Sequence, residues 1–387
     1  MKKIIYLIML PIVLLVTVGC SLLQSSIPSL NQSVAYYNYI QPSFEEYIDV
    51  TDKWLQENRS FISENKAQEL AMNMPFENVP EGADKAILLV HGLGDSPYSF
   101  SDISNSLEQQ GFHVQVLLLP GHGSKPEDMM LPRYEDWQNI VDHYANLLKE
   151  QYEEVWLGGF STGANLISIH ALNNNDISGL LLFSPGFKTV TPFLEKFTPL
   201  IALFWQGWSA DEDNYAKYNS ARLKGAIEYS RSASIFRENI STKTISIPTL
   251  IVVSEFDSVI DADSIKGFFE DKFSHPDSQL IWYGSLLESK KSNRVKTYSM
   301  TREDLKISTG SHMSPLFSPK NPYYGQSGQK TICDNSFSQS DIQACKQGHP
   351  TWFSAWGYSE NDKVFARLTW NPYFNEMEKS IKQVTQQ

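Results

Sequence analysis

Val155-Trp156-Leu157-Gly158-Gly159-Phe160-Ser161-Thr162-Gly163-Ala164 is the most informative stretch of the chain. It opens on apolar residues suited to a buried strand and closes on a segment that continues as a helix over residues 162–172. Between them stands G-x-S-x-G, the pattern of a sharp strand-to-helix turn that holds the serine Oγ exposed. Gly159 and Gly163 fall where side chains would collide across that turn. The helix N-terminus turns N–H groups and positive dipole toward the space beside Ser161. A structural Gly-Ser turn is the bland alternative, since five-residue matches arise by chance, and the strand–helix setting argues against it.

Outward from this turn the chain alternates. Residues 86–90 form a continuous apolar run, as in a strand buried on both faces of a parallel sheet. Residues 96–110 read as a helix closed by Gly111, 113–119 as a strand, 135–150 as an amphipathic helix, 154–157 and 178–183 as strands. The rhythm resumes with a strand at 249–254, a helix near 263–273 and a strand at 279–283. This predicts an α/β fold, doubly wound around a mainly parallel sheet. Residues 187–245 interrupt it: they are aromatic (Phe187, Phe193, Phe197, Phe204, Trp205, Trp208, Tyr215, Tyr218) and helix-like without a strand run, as in a helical cap inserted over the site. Upstream, Ser43-Phe44-Glu45-Glu46 is a capping box opening a helix, and a second helix is expected over 61–72.

His91-Gly92-Leu93-Gly94-Asp95 follows the first strand directly, and its small residues suit a loop that brings a backbone N–H to a substrate carbonyl. Leu93 and Thr162 are the expected oxyanion donors, and His91 a structural residue. With HGLG, GFSTG and LLLPGHG (117–123) in place, the chain resembles the α/β-hydrolase superfamily, in its carboxylesterase and monoacylglycerol-lipase branch, over 85–185 and, less closely, 247–283. The resemblance makes His122 structural and implies triad members in the order serine, acid, histidine. Asp257, just past the strand at 249–254, is the expected acid, while Asp261 and Asp263 read as surface or helix-cap residues. His312, in the small-residue turn Ser308-Thr309-Gly310-Ser311-His312-Met313-Ser314-Pro315, is the expected base. His275 falls at the wrong end of the sheet, and His349 is the competitor. A polar stretch at 285–304 separates His312 from the strand it should closely follow.

These roles imply a serine hydrolase acting on small-molecule or lipid carboxylic esters, needing no metal or organic cofactor. The aromatic cap would line an apolar acyl pocket or simply pack. A serine aminopeptidase is the alternative, with Glu195, Asp211, Glu212 or Asp213 as the carboxylate for a substrate amine. A non-catalytic envelope lipoprotein is the reading from another class.

The ends of the chain suggest a location. Lys2 and Lys3 precede an apolar run at 4–18, too short to span a bilayer comfortably, and Val16-Thr17-Val18-Gly19-Cys20 looks like a bacterial lipobox. Residues 1–20 are then a signal peptide, Cys20 a lipidated membrane anchor, and 21–80 a polar tether with N-terminal helices before a hydrolase domain at 81–387. By resemblance to known sorting rules, Ser21 favours the periplasmic side of an outer membrane if the bacterium has one. An ordinary cleaved signal or uncleaved anchor is the alternative. Cys333 and Cys345, within an insertion at 285–357, fit a disulfide in an oxidising compartment, with two free thiols as the alternative. No CxxC spacing supports zinc. The net charge of −12, without a compensating basic cluster, argues against nucleic acid.

Overall fold

The segments Ala86-Ile87-Leu88-Leu89-Val90 and Leu180-Leu181-Leu182-Phe183 offer water no polar face, so they are stable only in a sheet covered on both sides. The computed structural model places them there. It describes residues 33, 37–285, 292–336 and 338–386, except the side chains of 193–196 and 199. The expected signal peptide, Cys20 and most of the expected polar tether lie outside the described residues.

Eight strands form the central sheet: β1 (Phe76–Asn78), β2 (Lys85–Val90), β3 (Phe112–Leu117), β4 (Glu154–Phe160), β5 (Gly179–Phe183), β8 (Thr249–Ser254), β9 (Gln279–Tyr283) and β10 (Val295–Tyr298). Their spatial order is β1-β3-β2-β4-β5-β8-β9-β10, with β1 antiparallel to β3 and every other pair parallel. This is the doubly wound, mainly parallel sheet that the alternation predicts, and it agrees with the α/β-hydrolase fold that the resemblance implies. Side chains of β2 alternate between two cores. Ala86, Leu88 and Val90 face helices α4 (Tyr134–Gln151) and α5 (Thr162–Asn173), while Ile87 and Leu89 face α3 (Ser101–Glu108) and α10 (Phe374–Thr385). The first two helices, α1 (Phe44–Asn58) and α2 (Lys66–Asn73), pack at the edge of this body.

Several expected boundaries move for identifiable reasons. The helix expected from residue 61 starts at Lys66, because the Glu69 carboxylate accepts the amides of Ile62 and Ser63 and ties that segment into a loop, and Asn65 caps the helix. The strand expected to reach 119 ends at Leu117: the amides of Leu118 and Leu119 donate to Tyr47 Oη and His91 Nε2 instead of to a neighbouring strand. Pro97 gives the first turn of the 96–110 helix a 3-10 form. The region read as strandless at 187–245 holds a two-residue hairpin, β6 (Gly207–Trp208) with β7 (Ala221–Arg222), between α6 (Pro192–Ile201) and α7 (Leu223–Thr242).

The stretch 285–304 is not merely an interposed polar segment. Val295–Tyr298 is the edge strand β10, so His312 follows the last strand of the sheet after all. Lys296 hides this strand from a hydropathy reading, its ammonium reaching Ser380 and Gln383 of α10.

Beyond β10 a small parallel pair, β11 (Thr351–Ser354) with β12 (Val364–Arg367), packs beside α9 (Gln339–Lys346). The Cys333–Cys345 disulfide is formed, with a Cα–Cα distance of 5.6 Å and a sequence separation of 12, and it lies against Phe353, Val364 and Ala366. A closed loop of this size stabilises by about 3 kcal/mol in the chain-entropy model. Replacing both cysteines by alanine should lower unfolding stability by roughly that amount, as a shift in urea midpoint; an unchanged midpoint would mean the clip constrains nothing.

Candidate active site

Ser161 sits between β4 and α5 at φ 53° and ψ −113°, a left-handed conformation that costs a non-glycine residue about 1–2 kcal/mol. Its surroundings impose it. The Ser161 amide donates to Phe183 O at 3.1 Å and its carbonyl accepts from Gly186 N at 3.1 Å. The two flanking glycines have no alternative: a Cβ on Gly159 would lie 2.5 Å from Ala164 N, and one on Gly163 would lie 2.0 Å from Val90 O.

Asp257 stands just past β8 with its carboxylate buried. Oδ1 accepts the amides of Val259 at 2.8 Å and Ile260 at 3.0 Å, and Oδ2 meets His312 Nδ1 at 2.6 Å. Facing a carboxylate oxygen, Nδ1 carries the imidazole proton, and Nε2 is left as the acceptor. The histidine loop needs small residues, since a Cβ on Gly310 would lie 2.2 Å from Ser254 Oγ. Ser311 Oγ donates to Leu368 O, and Ser184 Oγ donates to the His312 carbonyl at 2.9 Å. The His312 ring lies 4.9 Å from that of Phe160.

Ser161, Thr162, Leu93 and His312 line one cavity of about 160 Å³, whose wall includes Phe160, Val259 and Trp356. Neither the Leu93 nor the Thr162 amide has a protein acceptor among the described residues. The loop carrying Leu93 is braced by two histidines. His122 Nε2 accepts the Gly94 amide at 3.0 Å, while its Nδ1 faces the Leu119 and Pro120 carbonyls; His91 Nε2 accepts the Leu119 amide, and its Nδ1 faces Gly92 O at 2.8 Å. Both rings are therefore neutral Nδ1–H tautomers, 4.8 Å apart.

Burial holds the pKa of His91 down to about 4, and burial with the neighbouring His91 holds that of His122 down to about 3. Unfolded, both take a proton below about pH 6.5. From there down to the folded values the unfolded chain binds more protons, so stability falls as pH is lowered. The urea midpoint should drop between pH 7 and pH 4.5 by an amount equivalent to a few kcal/mol, and less steeply in His122→Gln. Equal slopes in the two proteins would remove this histidine from the explanation.

The other candidates fall elsewhere. His275 lies before β9, its carbonyl bound by Arg294; His349 is exposed beyond α9; Asp261 caps helix α8 (Ala262–Lys272) and pairs with Lys188. Asp263 lies in the first turn of that helix. Asp211, Glu212 and Asp213 do not line the cavity: Glu212 accepts the amides of Asn219 and Ser220, and Asp213 pairs with Lys330. The side chains of Phe193 and Glu195 lie outside the described residues. Among the described residues, none of the cap aromatics named from the sequence lines the cavity. Phe187 stacks on Phe236 in the core, while Phe197, Phe204, Trp205 and Trp208 are exposed. Lys217 and Tyr229 of the cap line it, with Trp356 and Arg367 from beyond β10, and none stands in a motif that would have marked it.

Residues 81–287 match the family model described as serine aminopeptidase, S33. A thermostable monoacylglycerol lipase of Bacillus sp. (strain H-257) is 32% identical over 109 residues, covering 28% of this chain and 42% of the relative. A carboxylesterase of Bacillus subtilis (strain 168) is 24% identical over 219 residues, covering 52% of this chain and 84% of the relative. The chain thus spans less than half the length of the first of these. Among solved structures, a soluble variant of monoglyceride lipase from Saccharomyces cerevisiae aligns at 16% identity and a TM-score of 0.46, over 55% of this chain and 81% of that one. His312, Trp356 and Arg367 all lie beyond the family match.

Proposed function

The chain belongs to the serine aminopeptidase, S33 family, and from that premise we propose that it is a serine hydrolase of carboxylic esters using Ser161, His312 and Asp257. The observation that carries this reading is the 2.6 Å pairing of Asp257 with His312 at a cavity that also holds the strained Ser161. His312 Nε2 takes the Ser161 proton as Oγ attacks the ester carbonyl. The Leu93 and Thr162 amides hold the tetrahedral oxyanion, the alcohol leaves with the proton from His312, and water repeats the steps on the acyl-enzyme. Asp257 keeps the imidazole in its working tautomer and stabilises the imidazolium without becoming protonated. No step calls on a metal or cofactor.

The names of the two Bacillus relatives favour esters over peptides. So does the cavity: its carboxylate, Asp95, pairs with Lys217 at 3.0 Å, leaving no unpaired carboxylate for a substrate amine among the described side chains that line it. The compact cavity favours short acyl or aryl groups. Hydrolysis of p-nitrophenyl esters from acetate to palmitate by the protein lacking residues 1–20 should peak at the short chains. Turnover of aminoacyl-p-nitroanilides with no ester turnover would instead bring the aminopeptidase forward.

Lipid anchoring at Cys20 in a bacterial envelope belongs to the same proposal. Among the described residues no helix is long and apolar enough to cross a membrane. Ser33 is pinned to Asp128 by its amide at 2.6 Å and its Oγ at 2.9 Å, and the adjacent Glu127 pairs with Arg222 of the cap hairpin. The thirteen steps from Cys20 to Ser33 reach at most about 45 Å, so a lipid on Cys20 would keep Ser33 within that distance of the bilayer, a range that lets the exposed Leu203, Phe204, Trp205 and Trp208 of the cap reach it. Expressed in a bacterium, the full chain should sediment with membranes and Cys20→Ser should not; equal distribution of the two would end this part of the reading.

A further inference from the structure

The cavity wall carries more charge than a plain fatty ester requires. Besides His312, the carboxylate of Asp95 and the cations of Lys217 and Arg367 line it. Asp95 and Lys217 neutralise one another. Arg367 has no carboxylate within ion-pair distance among the described residues. Its Nε donates to Asn335 Oδ1 at 3.4 Å and its Nη2 to the Asp334 carbonyl at 2.9 Å, both neutral acceptors. The Arg367 side chain is half-buried and open to the cavity. Burial pulls its pKa down to about 10, which leaves it charged at neutral pH. Among the side chains that line the cavity, Arg367 is the one charge left without an ion-pair partner, with the Asp334 and Asp95 carboxylates acting on it only from beyond ion-pair distance.

This cation is held in place by its own scaffold. Arg367 ends β12, in register with Ser354 of β11. Asp334 and Asn335 directly follow the disulfide residue Cys333, and Asn335 Nδ2 is fixed by Ser354 Oγ and Ala355 O, each at 3.1 Å. All of these parts lie outside residues 81–287, the portion shared with the family. A half-buried cation hydrogen-bonded only to carbonyl acceptors, at the wall of a reaction cavity, is placed for an oxyanion that arrives with the substrate.

We infer that Arg367 is a specificity-determining residue that selects esters carrying a second, anionic group, a carboxylate or phosphate, on the acyl or the alcohol side. The inference rests on the ester-hydrolase reading. Two substrate pairs test it. The p-nitrophenyl monoester of glutaric acid against p-nitrophenyl valerate places the charge on the acyl side. A butyryl glycerol phosphate against monobutyrylglycerol places it on the alcohol side. In the wild type the anionic member of one pair should have the higher kcat/KM by about ten- to a hundredfold, and the responding pair identifies the side. Arg367→Met should bring that ratio to one or below, and Arg367→Lys, which keeps the charge without the fork, should retain part of it. If Arg367→Met does not fold, Arg367→Lys decides: a ratio lowered several-fold supports the role, an unchanged ratio overturns it. A wild-type ratio at or below one in both pairs also overturns it. The absence of turnover on every ester is a different result, because it removes the ester-hydrolase reading itself.

Discussion

Ser161→Ala should reduce ester turnover by on the order of 10⁴- to 10⁶-fold, with little change in unfolding stability. The two halves of this expectation have separate causes. Catalytically, a methyl group has no proton for His312 to accept and no lone pair to attack the carbonyl. What remains is the help that the Leu93 and Thr162 amides give to attack by water. Structurally, alanine keeps the Cβ and the backbone strain of φ 53° unchanged, and the amide bond to Phe183 O is a main-chain contact that the substitution does not touch. Ser161→Gly is the informative contrast. It should lose activity equally while gaining about 1 kcal/mol of stability, because glycine adopts this conformation at no steric cost. Hydrolysis of p-nitrophenyl butyrate, labelling by a fluorophosphonate probe and a urea titration check all three proteins. Activity within tenfold of wild type in Ser161→Ala would remove Ser161 from the nucleophile's role.

The parts of this molecule that a sequence reading reaches are those in which one short segment dictates its own geometry. The turn around Ser161 is such a case, since Gly159 and Gly163 are packed against backbone and nothing larger fits. The doubly buried strands are another, because a run such as Leu180-Leu181-Leu182-Phe183 has no amphipathic alternative. The reading fails where a distant partner supplies the missing half. Val295-Lys296-Thr297-Tyr298 is a strand only because β9 pairs with it and α10 receives the Lys296 ammonium. Arg367 and Trp356 enter the cavity only because the disulfide-clipped segment folds back over it. The cap's aromatics mislead for a related reason: hydropathy marks Phe204, Trp205 and Trp208 as apolar, but not whether they turn inward to substrate or outward.

The second large effect concerns Asp257, and here the hydrogen bonds settle which way a substituted amide must point. In the wild type Oδ1 accepts two main-chain N–H groups, from Val259 and Ile260, while Oδ2 faces His312 Nδ1. In Asp257→Asn the NH₂ group cannot replace Oδ1, because it would confront two donors that no other acceptor satisfies. The amide oxygen therefore stays with Val259 and Ile260, and the NH₂ turns to His312. Nδ1 must then accept, so the imidazole proton moves to Nε2, the one atom that has to be free to receive the serine proton. The expected loss is about 10⁴-fold in kcat, equivalent to roughly 5.5 kcal/mol of transition-state stabilisation, with KM for a short ester nearly unchanged, since Asp257 lies behind His312 and touches no substrate. Asp257→Ala should cost a similar factor by leaving the imidazole without an orienting partner. Because the three side chains act as a unit, Asp257→Asn combined with Ser161→Ala should be no slower than Ser161→Ala alone. A second drop of about 10⁴-fold in the double variant, or a kcat within tenfold of wild type in Asp257→Asn, would show that Asp257 does not act through His312.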